Sequence, residues 1–149
     1  MKEFGDPEPV VEQTLARGII GVKTSLDTRG VVSRLCRVLR DRPEAITFTL
    51  KWVPIDLWTY SDLESMKRAV SEISDGILPY ERWRMTVEKR RYATLHKIDI
   101  IKELAPLIPG EVNLEEFEKE VRVEVIGKYA GISILKRGEA LSVVKALWE

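Results

Sequence analysis

The polar and apolar positions of this chain fall into alternating stretches and stretches of helical spacing. Gly18-Ile19-Ile20-Gly21-Val22-Lys23 predicts a short strand. Val31, Val32, Leu35, Val38 and Leu39 recur at helical spacing, so a helix is expected over about Thr28 to Arg40, ended by Arg42-Pro43. Cys36 lies beside that apolar stripe and reads as a small, half-buried core thiol. Ile46 to Trp52 alternates, with Ile46, Phe48, Leu50 and Trp52 on one face, and Pro54 stops the ladder.

Ser61-Asp62-Leu63-Glu64 has the form of a capping box: the Ser61 hydroxyl can accept from the N–H of Glu64, and the Glu64 carboxylate from the N–H of Ser61. Leu63, Met66, Val70, Ile73 and Ile77 then mark an amphipathic helix, closed by Asp75-Gly76 and Pro79. In Arg82 to Glu88, Trp83, Met85 and Val87 are expected to be buried, with Arg84, Thr86 and Glu88 pointing the other way. Ile98, Ile101, Leu104, Ala105 and Ile108 give a further helix its stripe, and Pro106 implies a kink or an early end. Val121 to Val125 and Tyr129 to Leu135 predict two strands joined as a hairpin by Gly127-Lys128. Leu141 to Trp148 is expected to be a short helix. The order is β-α-β, then α-β-α-β-β: an α+β, mixed architecture with two small layered sheets and no sequence repeat.

Composition sharpens this picture in one place. The chain has 149 residues, 44% of them hydrophobic, enough for one domain or two small packed ones. Its 24 Lys and Arg balance 24 Asp and Glu. Within that neutral total, Arg82 to Lys102 carries seven cationic residues against two acidic ones, Arg29 to Arg42 five Arg against one Asp, and Glu111 to Glu124 six Glu against two basic residues. A concentrated basic element on a neutral chain suggests a polyanion-binding face. No apolar run approaches the roughly 18 residues needed to span a membrane. The acidic start, Met1 to Pro9, has no signal-peptide core. A lone Cys36 permits no intramolecular disulfide and suits a reducing cytoplasm.

Motifs for catalysis are missing. The glycines never take the spacing of a P-loop or a dinucleotide fingerprint, and no Gly-x-Ser-x-Gly elbow occurs. One Cys and one His do not make a typical structural zinc site, and Cys36 with His96 reads poorly as a nucleophile and base. The chain therefore reads as a binding module rather than an enzyme, with no cofactor and no metal expected.

The basic element has two readings. Lys89-Arg90-Arg91 ends a strand, Tyr92 follows, and Thr94, His96 and Lys97 lead into a helix whose N-terminal N–H groups favour phosphate. Guanidinium groups bind phosphate bidentately, and Tyr92 and His96 can stack on an unpaired base, which together describe an RNA contact surface. Alternatively the element is a solvated basic turn paired to the Glu-rich 111–120 segment. On spacing alone both stand.

The segments Arg82 to Arg91, Ile98 to Ala105 and Val121 to Leu135 together resemble a THUMP domain. Val53-Pro54-Ile55 followed by the Ser61 to Ser74 helix is similar to the version found in THUMP proteins that assist tRNA cytidine acetylation. The resemblance runs from about Trp52 to Leu135 and is weak before Arg42. It implies an RNA-binding domain preceded by a ferredoxin-like one. The expected organisation is a loose tail over 1–10, a ferredoxin-like β-α-β unit over 11–57 packed on a THUMP-like domain over 58–149. The implied function is a cytoplasmic tRNA-binding adaptor, because no catalytic domain accompanies the match, and the implied partner is a separate RNA acetyltransferase or other modification enzyme. Lys89, Arg90, Arg91 and Lys97 carry over as RNA-binding positions and Gly131 as structural. Tyr92 and His96 join the site as stacking candidates, and Lys51, Arg84 and Lys136 from their places on polar faces. The alternative is a small-molecule regulatory or protein-interaction domain of ferredoxin-like type, with the acidic 111–120 stretch as its partner surface.

Overall fold

A computed structural model describes residues 1–45 and 51–142. Its elements run in the order β1 (Val10–Gln13), β2 (Ile20–Lys23), α1 (Thr28–Asp41), β3 (Lys51–Trp52), β4 (Leu57–Tyr60), α2 (Leu63–Ile73), β5 (Arg82–Arg90), α3 (Lys97–Leu104), β6 (Glu111–Val112), β7 (Lys119–Ile126), β8 (Tyr129–Lys136) and β9 (Leu141–Ser142), with short 3-10 turns among them. This is a mixed α/β architecture. It divides into two compact units, one of 1–13, 20–54 and 138–149, the other of 14–19 and 55–137. No helix among the described residues is long and apolar enough to cross a membrane.

The first unit holds α1, the antiparallel β1–β2 pair and the antiparallel β3–β9 pair. Asp27 caps α1 by accepting from the Gly30 N–H at 3.0 Å. Val32 and Leu39 of the helix pack with Leu141, and Leu35, Cys36 and Trp52 border them, so Cys36 is a half-buried thiol in an apolar setting. Two expectations change here. The first ten residues are not loose: Lys2–Phe4 forms a 3-10 turn, and the Asp6 carboxylate, 3% exposed, accepts from the Thr24 hydroxyl at 2.5 Å and from the N–H groups of Glu8 and Ser25. Leu141–Ser142 is not the start of a helix but pairs with Lys51–Trp52 as a strand. Residues 46–50 of the predicted Ile46–Trp52 strand and 143–149 of the predicted C-terminal helix lie outside the described residues.

The second unit is a five-stranded sheet in the order β4-β8-β7-β5-β6. The pairs β5–β7 and β5–β6 are parallel, while β4–β8 and β7–β8 are antiparallel. The β7–β8 turn is Gly127-Lys128, as the sequence suggests, and Gly127 takes φ 57°, which glycine adopts without steric cost. Alternation sends Trp83, Met85 and Val87 of β5 and Val121, Val123 and Val125 of β7 to one face, where Met66 and Val70 of α2 and Ile100 and Leu104 of α3 cover them. Each such buried aliphatic contributes about 1.5–3 kcal/mol. The α3 stripe matches the expected one at Leu104 and Ile108, which are buried, but starts from Ile100 rather than Ile98, which is 56% exposed. α3 ends before Pro106, which sits in a 3-10 turn over Ala105–Leu107.

The cap of α2 also shifts by one residue. Asp62, not Ser61, is the N-cap, accepting from the Ser65 N–H at 2.9 Å. The Ser61 hydroxyl instead donates to the Gly127 carbonyl at 2.7 Å, across the sheet. The strand Leu57–Tyr60 goes beyond the elements expected from the sequence, and it supplies the edge of the sheet beyond β8.

Candidate nucleic-acid interface

The face of the sheet opposite the helices carries charge. Arg84, Thr86, Glu88 and Arg90 of β5 lie in register beside Glu120, Arg122, Glu124 and Ile126 of β7. The side chains form a chain of ion pairs: Arg84 Nη2 to Glu120 Oε2 at 2.9 Å, Arg122 Nη1 to Glu120 Oε1 at 3.2 Å, Arg122 Nε to Glu124 Oε1 at 2.6 Å, and Arg90 Nη1 to Glu124 Oε2 at 3.0 Å. Arg122 at its centre is buried. Burial works against its charge, but the Glu124 and Glu120 carboxylates outweigh it and hold the guanidinium above its ordinary range. Arg84 also lies over the Phe117 ring at 4.2 Å, as does Arg137 at 4.1 Å.

Most of the sequence-predicted cations are therefore held internally. Arg82 bonds Glu118 at 3.0 Å and Glu116 at 3.0 Å. Lys89 donates to the carbonyls of Leu95 at 3.0 Å and Tyr92 at 3.4 Å, which ties down the loop before α3. Lys97 reaches Glu88 at 3.5 Å. The Tyr92 hydroxyl donates to the Ser61 carbonyl at 3.0 Å, its ring packs against the core, and burial pushes its phenol pKa up. His96 is the exposed N-cap residue of α3, and the Asp99 carboxylate accepts from its N–H at 3.3 Å. Lys136 is exposed at the end of β8, and Lys51 is an exposed residue of the first unit. Gly131 is structural, as expected: a Cβ there would come within 3.1 Å of Ile55 and Trp58 side-chain atoms.

Arg91 is different. It is exposed, forms no ion pair among the described residues, and has φ 57°, the only positive value among the described non-glycine residues. That conformation turns the chain out of β5, whose last carbonyl, Arg90 O, accepts from the Gly127 N–H at 2.9 Å. Ser61 joins the same end of the sheet, since its N–H donates to the Lys128 carbonyl at 2.8 Å. One end of the second unit thus gathers Arg91, the exposed Lys128 in the β7–β8 turn, and the N-termini of α2 and α3. Exposed cations beside the positive ends of two helix dipoles favour phosphate, with Asp62 and Asp99 already accepting from the N–H groups of Ser65 and His96. Beside them Tyr60 and Tyr129 stack, ring centroids 5.7 Å apart and planes at 26°.

The sequence reading missed Lys128, Tyr60, Tyr129 and Phe117. The β-prone alternation of Leu57-Trp58-Thr59-Tyr60 could have flagged the aromatic pair, because its register partner Tyr129 follows from the hairpin.

No family model and no curated protein matches the chain. Among solved structures it shares a fold with PH1313 from Pyrococcus horikoshii Ot3, with a TM-score of 0.64 at 16% identity. That match covers 91% of this chain and 43% of PH1313, so the chain spans less than half the length of that protein. Two weaker likenesses fall below the level at which a shared fold follows. TrmN from Thermus thermophilus gives a TM-score of 0.44 at 14% identity, covering 60% of this chain and 30% of that one. The THUMP domain of THUMP domain-containing protein 1 gives 0.39 at 18%, covering 48% of this chain and 85% of that domain.

Proposed function

We propose that the chain is an RNA-binding module that takes tRNA and presents it to a separate modification enzyme. Cytidine acetylation is the reaction favoured by the THUMP resemblance of the 52–135 stretch. The observation that carries the binding part is the gathering of Arg91, Lys128 and two helix N-termini at one end of the five-stranded sheet. These groups are exposed and are not consumed by the ion pairs that neutralise Arg82, Arg84 and Arg90. Phosphate contacts of this kind are independent of sequence and give affinity for the RNA backbone. His96 and Lys97 flank the same end and belong to the proposed contact surface. Arg84, Lys89, Arg90 and Tyr92 act in this reading by shaping that end rather than by touching RNA.

The test is a fluorescence anisotropy titration of labelled tRNA with the full chain at low salt, repeated with Arg91→Ala and Lys128→Ala. Binding that weakens in each variant, while both melt as the parent does, is the expected result. No tRNA binding by the parent at low salt refutes the proposal. Acetylation is tested separately, by adding the chain to an RNA cytidine acetyltransferase and tRNA and measuring acetylcytidine formed; no increase over the enzyme alone removes the adaptor part.

A further inference from the structure

Three large aromatic side chains stand exposed on the β4–β8 edge of the sheet: Trp58 at 51%, Tyr60 at 62% and Tyr129 at 53%. They belong to one surface. Trp58 and Tyr60 are two residues apart on β4 and share its outer face, while Leu57 and Thr59 turn inward, Leu57 to the core and Thr59 to the Ser65 carbonyl. Across the ladder Trp58 pairs with Gly131 and Tyr60 with Tyr129. A Cβ at Gly131 would stand 3.0 Å from Ile55 and 3.1 Å from the Trp58 ring, so the missing side chain leaves room for the indole and Ile55 together. The result is a row of exposed rings along the β4–β8 pair, Tyr60 and Tyr129 stacked on each other and each ring still half or more open to solvent.

Such a surface is costly to leave in water unless something covers it. Its setting selects the occupant. The outer edge of β4 borders a cleft of about 310 Å³ shared with α2, lined also by Arg68, Ser65 and Glu72. At the Tyr60 end the ladder closes on Lys128 and, through Ser61 and Tyr92, on the turn that carries Arg91. Exposed rings that can extend a stack, next to the exposed cations Arg91 and Lys128, match the alternation of bases and phosphates in an unpaired nucleic-acid strand. A duplex hides its base faces and cannot use the rings.

We infer that Trp58, Tyr60 and Tyr129 form a stacking platform for the unpaired bases of single-stranded RNA, with Arg91 and Lys128 holding the adjoining phosphates. This inference rests on the RNA-binding reading above and narrows it: the bound tRNA segment is an unpaired one, held on the β4–β8 side of the sheet face that carries Glu124 and Arg122. The hydroxyls of Tyr60 and Tyr129 are not needed for it, because stacking uses the ring faces alone.

The experiment compares a labelled single-stranded RNA oligonucleotide with a blunt-ended RNA duplex in anisotropy titrations at one salt concentration. The full chain is used, together with Tyr60→Leu/Tyr129→Leu and Tyr60→Phe/Tyr129→Phe. The expected result is a loss of about tenfold or more in single-strand affinity for the Leu variant, with duplex affinity unchanged and the Phe variant binding as the parent does. Thermal melting controls for folding. If the Leu pair does not fold, Tyr60→Ser alone carries the same comparison at a position well exposed to solvent. The platform is overturned if a folded Leu or Ser variant binds single strands as tightly as the parent. It is also overturned, with the RNA-binding reading left standing, if the parent binds tRNA and duplex but not single strands. A parent that binds no RNA overturns both.

Discussion

Arg84 donates from Nε to Glu120 Oε2 at 3.0 Å, and Glu120 is its direct register partner on the neighbouring parallel strand. A cation that reads in the sequence as part of an open basic surface is thus matched, side chain to side chain, by an acid 36 positions later in the chain. Arg82 likewise meets Glu118, 36 positions later, while Arg90 reaches Glu124 diagonally, 34 positions later, its own register partner being Ile126. The parallel pairing of β5 and β7 converts two opposite blocks of sequence charge into an internal network.

The centre of that network is the place most sensitive to substitution. Arg122→Leu removes the buried cation shared by Glu120 and Glu124, leaving each carboxylate with one partner, Arg84 or Arg90. A loss of about 3–5 kcal/mol is expected, measured by urea unfolding. Adding Glu120→Gln and Glu124→Gln to Arg122→Met removes the buried charges together and is expected to recover part of it, since Arg84 and Arg90, which lose their partners, reach solvent. A loss below about 1 kcal/mol for Arg122→Leu would show that the network is solvated, contrary to its burial.

Arg90 and Arg91 are adjacent in sequence and opposite in consequence. Arg90→Ala is expected to cost about 1 kcal/mol through its bond to the buried Glu124, with a smaller effect on RNA. Arg91→Gly is expected to raise stability by about 0.5–1 kcal/mol, because glycine is at ease at φ 57°, and to lower tRNA affinity through the lost charge. Paired thermal melts and anisotropy titrations separate the two. Equal effects of both variants on both readouts would contradict the structure.

Gly110 has φ 88°, and a Cβ there would stand 2.5 Å from the Glu81 carbonyl oxygen. Since that atom is backbone beside β5, relief requires the strand end to move. Gly110→Ala is expected to destabilise by about 2–4 kcal/mol, visible as a lowered urea midpoint. An unchanged midpoint would mean that the turn at Pro109-Gly110 takes another shape.

Acid should weaken the fold by a route that can be assigned. Hydrogen bonds from the Arg82 side chain and backbone hold Glu118 below its ordinary 4.5, and the Leu78 N–H with Lys119 holds Glu81 below it as well. A depressed folded-state value means that the stabilisation is fully present above pH 4.5 and is lost as pH falls through the lowered values. Melting temperature is therefore expected to drop on going from about pH 5 to pH 3, and Glu118→Gln to flatten part of that drop. A variant whose pH profile matches the parent's would rule Glu118 out as a contributor.

Much of the second unit is legible in the sequence because its elements have clean periods. The β5 alternation, the Gly127-Lys128 turn and the α2 stripe follow from residue spacing. The α3 stripe is only partly legible: the apolar residues there satisfy more than one helical face, and only packing in the core selects Ile100 with Leu104 over Ile98. The Ser61 cap fails for a local reason, since Asp62 can cap equally well and the Ser61 hydroxyl has a stronger claim from Gly127 across the sheet. The basic site is legible as charge but not as availability. Which cation is free depends on long-range pairs such as Arg82–Glu118, and no window along the chain displays them.

Ser61 joins three loops through three bonds: its hydroxyl to Gly127, its N–H to Lys128, and its carbonyl from the Tyr92 hydroxyl. A two-residue exposed hairpin turn is ordinarily where an engineer opens a chain for circular permutation or inserts a tag. Here new termini between Gly127 and Lys128 would unhook the start of α2 and the approach to α3 together. The most convenient-looking cut in the second unit is therefore among the least forgiving.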